Sequence, residues 1–92
     1  MFRILELIWN AWNEAHIARH GIVSEEVEEV CFSSERLVVK IRRDRYRVIG
    51  QTEAGRYLTV ILDGVGRGRF YVVTAREASS NERRQRHRWR GD

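Results

Sequence analysis

The sequence predicts an α+β fold in which two N-terminal helices and one C-terminal helix accompany an antiparallel sheet of four to five strands. Three observations support this prediction. Helix-capping residues and helical spacing of apolar residues occupy residues 10–32. Apolar and charged residues then alternate with a period of two from Arg36 onward, as expected of strands. An S-x-x-E pattern formed by Ser79 and Glu82 indicates where the last helix begins.

The composition indicates one globular domain, expected to span residues 1–92, with a hydrophobic content of 42% that is too high for a disordered chain. No apolar run approaches the roughly 20 residues that span a bilayer, so no membrane association is predicted. The single cysteine, Cys31, cannot form an internal disulfide and fits a reducing cytoplasm. Neither zinc-binding spacing nor a phosphate-binding loop occurs, and the sequence predicts no metal and no cofactor.

The N-terminal third predicts a strand followed by a helix. Residues 4–9 form a short apolar run typical of a buried or edge strand. Asn10 can then cap a helix over residues 11–20. Gly21 follows at the position where a left-handed residue commonly ends a helix, so the helix is expected to stop there.

A second, shorter helix is predicted to begin directly afterwards. Ser24 is its candidate N-cap, and Glu25 and Glu26 lie in the first turn, where the helix dipole favours anions. Helical spacing of Val27 with the apolar residues after it carries this helix to about Phe32.

The middle of the chain predicts four strands in an antiparallel meander, because three consecutive connections are short. The predicted strands cover residues 36–42, 45–50, 56–63 and 69–75. A glycine-rich stretch over residues 64–68 is predicted to be the flexible hairpin loop between the last two.

The first predicted hairpin suggests an anion site. With Asp44 and Arg45 as a two-residue turn, Arg42 and Arg47 would lie opposite each other on one face, with Lys40 two positions away. Like charges directly opposite are destabilising, so this register requires either a bound anion or compensating carboxylates. We favour the anion, because Asp44 is the only acidic residue in these two strands.

Basic residues are concentrated near the C-terminus. Lys40 is the only lysine of the chain, and the other residues counted among its lysines and arginines are arginines. Arginine offers a planar fork of donors that matches phosphate, which makes nucleic acid the first partner to consider. The alternative is a basic helix face that is only solvated, or an arginine-rich genome. The crowded residues are Arg83, Arg84, Arg86, Arg88 and Arg90.

The end of the predicted sheet leads into the last helix. The apolar run stops at Ala75, Arg76 follows at the end of the strand, and the helix is predicted from about Ser80 to Trp89. Its amphipathicity is poor, so either the arginine-rich end 83–92 frays or Trp89 docks on the sheet or on a partner. Charges that are merely solvated are the alternative interpretation of this stretch.

Residues 73–84, V-T-A-R-E-A-S-S-N-E-R-R, resemble the closing motif of the BrnT toxins, I-S-A-R-x-A-x-x-x-E-R. Further matches occur in the family's order over about residues 5–86, with Asn10 where Asp is usual and Arg19 where Lys is usual. Where the family often has a tyrosine after the E-R pair, this chain has Arg86 and His87. The further matches are Trp9-Asn10, Arg19-His20-Gly21-Ile22, Glu25-Glu26-Val27 and, as R-Y-x-x-I-G, Arg45 to Gly50.

The resemblance implies a RelE-like fold and a metal-independent endoribonuclease that arrests translation by cutting RNA, either free or on the ribosome. It implies cleavage by attack of the 2′-hydroxyl on the adjacent phosphorus, which leaves a 2′,3′-cyclic phosphate. It further implies a cytoplasmic toxin of a type II toxin–antitoxin pair, neutralised by a BrnA-like ribbon-helix-helix antitoxin. Operator DNA would be contacted only through the antitoxin complex.

That reaction needs proton-transfer groups and cations for the charged phosphorane. His20 suits a proton role because an unperturbed imidazole titrates near neutral pH, and Glu82 is an alternative base. Arg76 and Arg83 are predicted to hold the phosphate, and His20 has the alternative role of partner to a helix dipole. The residues predicted to bind RNA are Arg19, Lys40, Arg42, Arg45, Arg47 and Arg84.

A rival hypothesis from another functional class is a non-catalytic module that binds nucleic acid or a protein partner on the same fold. The departures from the family pattern at Asn10 and in the last helix favour it. A zinc site formed by Glu14, His16 and His20 is disfavoured, because no further carboxylate or thiol ligand is indicated.

Overall fold

The computed structural model of the chain describes residues 2–90, apart from the side chain of Arg90. Residue 1 of the predicted domain and residues 91–92 of the stretch predicted to fray lie outside the described residues. Within residues 2–90, no helix is long and apolar enough to cross a bilayer. The elements are β1 (Glu6–Ile8), α1 (Ala11–Ala18), α2 (Ser24–Cys31), β2 (Leu37–Arg42), β3 (Arg45–Gln51), β4 (Tyr57–Gly66), β5 (Arg69–Glu77) and α3 (Ser80–Arg90).

The five strands form one sheet in the order β1-β5-β4-β3-β2. The predicted α+β fold is confirmed, and β2 to β5 form the expected antiparallel meander. β1 differs from the predicted antiparallel pairing, because it lies parallel to β5 with Leu7 opposite Phe70. The two helices that follow β1 carry the chain across the sheet, so that β2 begins at the opposite edge and β5 returns beside β1.

α1 and α2 pack on one face of the sheet and enclose the hydrophobic core. Ile17 of α1 and Val30 of α2 are buried against the same cluster as Val60 of β4 and Ala75 of β5. Because side chains alternate between the faces of a strand, residues adjacent to these core positions point to the other face. α3 lies on that other face, as its contact with Thr59 shows.

The helix ends follow the predicted capping chemistry with one correction. Asn10 and Asn13 exchange two backbone-to-side-chain hydrogen bonds of 2.9 Å at the start of α1, and Gly21 ends this segment at φ 71°. The prediction of Ser24 as N-cap of α2 is wrong, since Ser24 lies inside the helix and Val23 precedes it. Glu26 Oε1 accepts from the Val23 backbone N–H at 3.1 Å, so the helix start is satisfied without a serine cap.

The register predicted for the first hairpin is wrong. Asp44 takes the left-handed φ of 63°, the turn falls on residues 43–44, and Arg42 pairs with Arg45. Arg47 lies opposite Val39, because the register also shifts by one residue between Lys40 and Arg42. The predicted row of like charges therefore does not form.

The end of the sheet matches the predicted capping box but not the predicted strand end. β5 continues past Ala75 to Glu77, so Arg76 lies within the strand. Ser79 Oγ accepts from the Glu82 N–H at 3.2 Å, and Glu82 Oε1 accepts from the Ser79 N–H at 2.9 Å. α3 is helical up to Arg90, and the side chain of Trp89, 54% exposed, lies beside the beginning of β2.

The segment before β1 is held against the β4–β5 hairpin by a close backbone approach at Gly68. The Gly68 carbonyl accepts from the N–H groups of Leu5 and Glu6 at 2.7 and 3.1 Å. Gly68 has φ 74°, and a Cβ atom placed on it would lie 2.6 Å from Leu5 Cγ. Glycine is required here both by the left-handed backbone and by the lack of space.

We predict that Gly68→Ala lowers the free energy of unfolding by about 1–3 kcal/mol more than Gly66→Ala, measured by urea denaturation. Gly66 is a matched control, since it also has a left-handed φ, 100°, but a Cβ there would meet no atom within 4 Å. In the Gly68→Ala background, Leu5→Ala should recover part of the loss by removing the clashing atoms. Equal losses in the two glycine variants would contradict the steric contact.

Candidate functional site

Three strands bring polar side chains to the sheet face that carries α3. Arg76 of β5 lies opposite Thr59 of β4, and Arg47 of β3 lies opposite Ile61, two positions further along β4. These side chains point away from the core, because they alternate with buried core residues such as Ala75 and Val60. Glu82, in the first turn of α3, faces them from above.

The Glu82 carboxylate accepts hydrogen bonds from two strands and from the residue that precedes α3. Its Oε1 atom accepts from Arg76 Nη1 at 2.8 Å, from Thr59 Oγ1 at 2.9 Å and from the Ser79 N–H at 2.9 Å. Its Oε2 atom accepts from Arg76 Nη2 at 2.8 Å, so the Arg76 pair is bidentate. Glu82 is only 8% exposed, and this carboxylate is therefore both buried and well satisfied.

A second guanidinium approaches the same oxygen. Arg47 Nε lies 3.9 Å from Glu82 Oε2, so Arg47 and Arg76 converge on one carboxylate atom. Their side chains are 32% and 43% exposed, whereas that of Glu82 is 10% exposed. Two half-exposed cations against one buried anion leave a surplus positive charge facing solvent. We call Arg47, Arg76 and Glu82 the Glu82 cluster.

The electrostatics of the cluster keep Glu82 ionised. Hydrogen bonding from Arg76 lowers the pKa of the Glu82 carboxyl to about 2; burial opposes this shift, and the Ser79 N–H and the Thr59 hydroxyl add to it. The same pair raises the pKa of Arg76 above its ordinary value. A carboxylate with so low a pKa and with donors on both oxygens is a poor proton acceptor, so the geometry does not support Glu82 as a general base.

Arg83, predicted to hold the phosphate together with Arg76, is directed elsewhere. Its guanidinium lies 4.4 Å from the centre of the Tyr57 ring, a cation–π contact at the beginning of β4. Arg84 contacts the side chain of Asn81 on α3. Ser80, Arg83, Arg84 and His87 line one shallow depression along the outside of this helix.

The residues predicted to bind RNA from the first hairpin are separated from one another. Arg45 is paired with Asp63 of β4 through two hydrogen bonds of 2.6 and 2.8 Å. The hydrogen bonds from Arg45 lower the pKa of Asp63, and burial opposes this shift. The positive charge of the nearby Arg42 also lowers that pKa. Lys40 lies opposite Tyr46, a residue packed against the core, and so faces away from Arg47. The compensating carboxylate thus comes from β4, outside the two strands of the first hairpin.

His20 and Arg19, at the end of α1, are not brought to the Glu82 cluster. α1 packs on the opposite face of the sheet, where Ile17 enters the core. His20 is exposed, and its ring lies 5.8 Å from that of His16. Within residues 2–90, no three His, Cys, Asp or Glu side chains converge in a geometry suited to a metal ion.

Two buried polar residues that hold α3 in place were not predicted. Thr59 is separated from Glu82 by 23 residues, and nothing in the local sequence indicates their contact. Arg86 is 1% exposed, and its Nε donates to the Glu35 carbonyl at 3.2 Å. Its position four residues after Glu82 places both on one helix face, a spacing that could have identified it.

Comparison with known proteins identifies the family. The sequence model of a family described as the ribonuclease toxin BrnT of type II toxin–antitoxin systems matches residues 9–82. The chain belongs to the BrnT family. The resemblance inferred from the closing motif is thereby confirmed. The matched range begins at Trp9 and includes all of the Glu82 cluster, whereas most of α3 lies beyond it.

A solved structure supports the same assignment. The crystal structure of the Brucella abortus ribonuclease toxin BrnT is similar to this chain, with a TM-score of 0.65 and 26% sequence identity. The match covers 82% of this chain and 97% of that chain. No curated protein sequence matches the chain. The BrnT assignment therefore rests on the family match and on the similarity of the folds.

We predict that Glu82 makes the stability of this BrnT-family chain depend on pH. A carboxyl whose native pKa is about 2, against an ordinary value of 4.5, stabilises the fold above that ordinary value and loses the contribution as pH falls towards 2. Between these values the wild type should lose roughly 3 kcal/mol more unfolding free energy than Glu82→Gln, measured by urea denaturation across pH.

Glu25→Gln is the control for this measurement, because it removes a carboxylate from an exposed position of α2. Its acid transition should follow that of the wild type. If Glu82→Gln kept the full wild-type loss at low pH, the native pKa assigned to Glu82 would be wrong.

Proposed function

We propose that the chain is a metal-independent endoribonuclease toxin that inhibits translation by cutting RNA. The observation that supports this proposal is the convergence of Arg47 and Arg76 on one Glu82 oxygen, at 3.9 and 2.8 Å. Two fixed guanidinium groups with exposed surface are better suited to bind a negatively charged phosphodiester than to bind a neutral ligand. The ribonuclease description of the BrnT family supports RNA as the source of that phosphodiester.

The proposed reaction is transfer of the phosphorus within RNA. The 2′-hydroxyl loses its proton as its oxygen attacks the adjacent phosphorus. The bond to the 5′-oxygen breaks and that oxygen gains a proton, so the products carry a 2′,3′-cyclic phosphate and a 5′-hydroxyl. The phosphorane formed on the way has more negative charge than the starting phosphodiester. Arg47 and Arg76 would stabilise that added charge, and cations fixed before the reaction do so without a reorganisation cost.

Glu82 acts in this proposal as a positioning residue. Its bidentate bond orients Arg76, and its bonds to Ser79 and Thr59 keep the carboxylate from following the guanidinium towards a ligand. The outer edges of Arg47 and Arg76 remain exposed and can donate to phosphate oxygens. Because Glu82 stays ionised, its negative charge also reduces the repulsion between the two arginines in the free protein.

We predict that Arg76→Ala lowers RNA cleavage by about 10²-fold or more and Arg47→Ala by at least about tenfold, because each removes a cation from the phosphorane. The assay uses purified protein and RNA in EDTA, with 2′,3′-cyclic ends identified on the products. Arg43→Ala is the matched control, since that side chain is 95% exposed at the hairpin turn and its loss also removes one charge.

His20→Ala in the same assay tests the proton role predicted for His20. Because α1 packs on the sheet face opposite to the Glu82 cluster, we expect a loss of cleavage activity of no more than about threefold. Activity that disappears in His20→Ala and survives in Arg76→Ala would contradict the proposal, as would cleavage that EDTA abolishes.

The second candidate function is a non-catalytic binding module for nucleic acid or a protein. One observation favours it: Glu82 already occupies two donors of Arg76, and its low pKa removes the proton acceptor nearest to the cluster. The same assay separates the candidates. RNA that is bound by the wild type and released by Arg76→Ala, with no cleavage by either, would support the module.

The proposed partners follow from family membership. We propose a BrnA-like ribbon-helix-helix antitoxin that neutralises the toxin in the cytoplasm, with operator DNA contacted only through that complex. RNA is the proposed substrate, free or on the ribosome. Induced expression in bacteria should arrest growth, and co-expression of the antitoxin should restore it.

A further inference from the structure

The outward face of α1 carries an exposed tryptophan. Trp12 is 79% exposed, more than any other large hydrophobic residue within the described residues 2–90. On the inward face of the same helix, Asn13 and Ile17 are each only 1% exposed. Trp12 therefore contributes little to the core, although an indole is among the most costly side chains to leave in water.

The neighbours of Trp12 form a shallow, mainly apolar depression. It is lined by Ala11, Trp12, Ala15, His16 and Arg19. Ala11 and Ala15 are one turn apart and have no side chain beyond Cβ, so they leave a groove beside the indole. An anchor site at a protein interface has these features: a large indole, small neighbouring side chains and a cation at one end of the groove.

We propose that this face of α1 binds the antitoxin, through an amphipathic helix whose apolar side chains pack on Trp12 and whose carboxylate pairs with Arg19. A toxin of the BrnT family belongs to a toxin–antitoxin system, so a protein partner is expected. The inference rests on that membership and not on the cleavage mechanism proposed above.

The charge of the surface determines the chemistry of the partner. The residues that line the depression include Arg19 and His16 and no carboxylate. Glu14, the acidic residue of α1, lies on another side of the helix, beside Ile22 and Glu25. A partner helix with a carboxylate near Arg19 gains a charge pair there, and the pair also fixes which way the helix runs.

The same charge disfavours two other occupants. The same depression on a second copy of the chain would offer no carboxylate to Arg19. RNA would require several cations along its backbone, and Arg19 is the one arginine in the lining. An acidic protein helix satisfies both the apolar groove and the cation.

The position of this face makes the inference testable apart from catalysis. α1 packs on the sheet face opposite to α3, so Trp12 and the Glu82 cluster lie on different sides of the protein. Substitution of Arg76 should therefore leave antitoxin affinity unchanged. A binding assay in the Arg76→Ala background gives an answer whether or not the wild type cleaves RNA.

The experiment titrates the proposed BrnA-like antitoxin into Arg76→Ala protein by isothermal calorimetry. Adding Trp12→Ala should weaken binding by about 30-fold or more, the effect of losing an interface anchor. Trp89→Ala is the matched control, since Trp89 is also an exposed helical tryptophan, and should change affinity by less than about threefold. Arg19→Glu should also weaken binding, and an acid-to-lysine change in the antitoxin helix should restore it.

Three results would overturn the inference. The first is a Trp12→Ala protein that unfolds at the same urea midpoint as the parent and still binds the antitoxin with an affinity within about threefold of the parent's. The second is a free toxin that sediments as a dimer and becomes a monomer on Trp12→Ala, which would make this face a contact between two copies. The third is RNA affinity that falls on Trp12→Ala while antitoxin affinity is unchanged.

Discussion

The Glu82 carboxylate is the interaction on which the arrangement of this protein's C-terminal half depends. It joins the start of α3 to β4 through Thr59 and to β5 through Arg76. α3 has little apolar surface to hold it on the sheet, since Trp89 is the only large apolar residue in its sequence. A buried carboxylate is tolerated here because both of its oxygens accept hydrogen bonds, and removal of Arg76 would leave an uncompensated charge.

The sheet separates two kinds of surface. One face is buried beneath α1 and α2 and supplies most of the hydrophobic core. The other face is only partly covered by α3, and there charged side chains occupy positions that alternate with core residues. A strand can serve both faces because its side chains alternate, so a single run such as Thr74-Ala75-Arg76 contributes a core residue and a cluster residue next to each other.

Arginines that look equivalent in the sequence differ in the structure according to their partners. Arg45 and Arg47 are two residues apart on one face of β3, yet Arg45 is neutralised by Asp63 and Arg47 faces the cluster shared with Arg76. Arg86 is buried, whereas Arg83 lies on an aromatic ring. In an arginine-rich chain, the fold pairs some arginines with carboxylates. The positive charge that is left over is the part that a ligand can bind.

The sequence by itself determined the features that depend on interactions between residues close together in the chain. The α+β class, the two N-terminal helices and the antiparallel meander follow from patterns that act over a few residues. The capping box of Ser79 and Glu82 is of the same kind, since its two hydrogen bonds join residues three positions apart. The family motif also lies in one short stretch, so the sequence alone reveals it.

Only the tertiary structure decided the hairpin register, the parallel pairing of β1 and the membership of the site. A one-residue shift moves every side chain of a strand to the other face, and the shift here depends on Asp44 and on a bulge that the alternating pattern does not reveal. The contacts of Glu82 with Thr59 and of Arg45 with Asp63 join residues far apart in the chain. Such contacts are set by how strands and helices pack, so the sequence supplied the charged groups and the fold determined their partners.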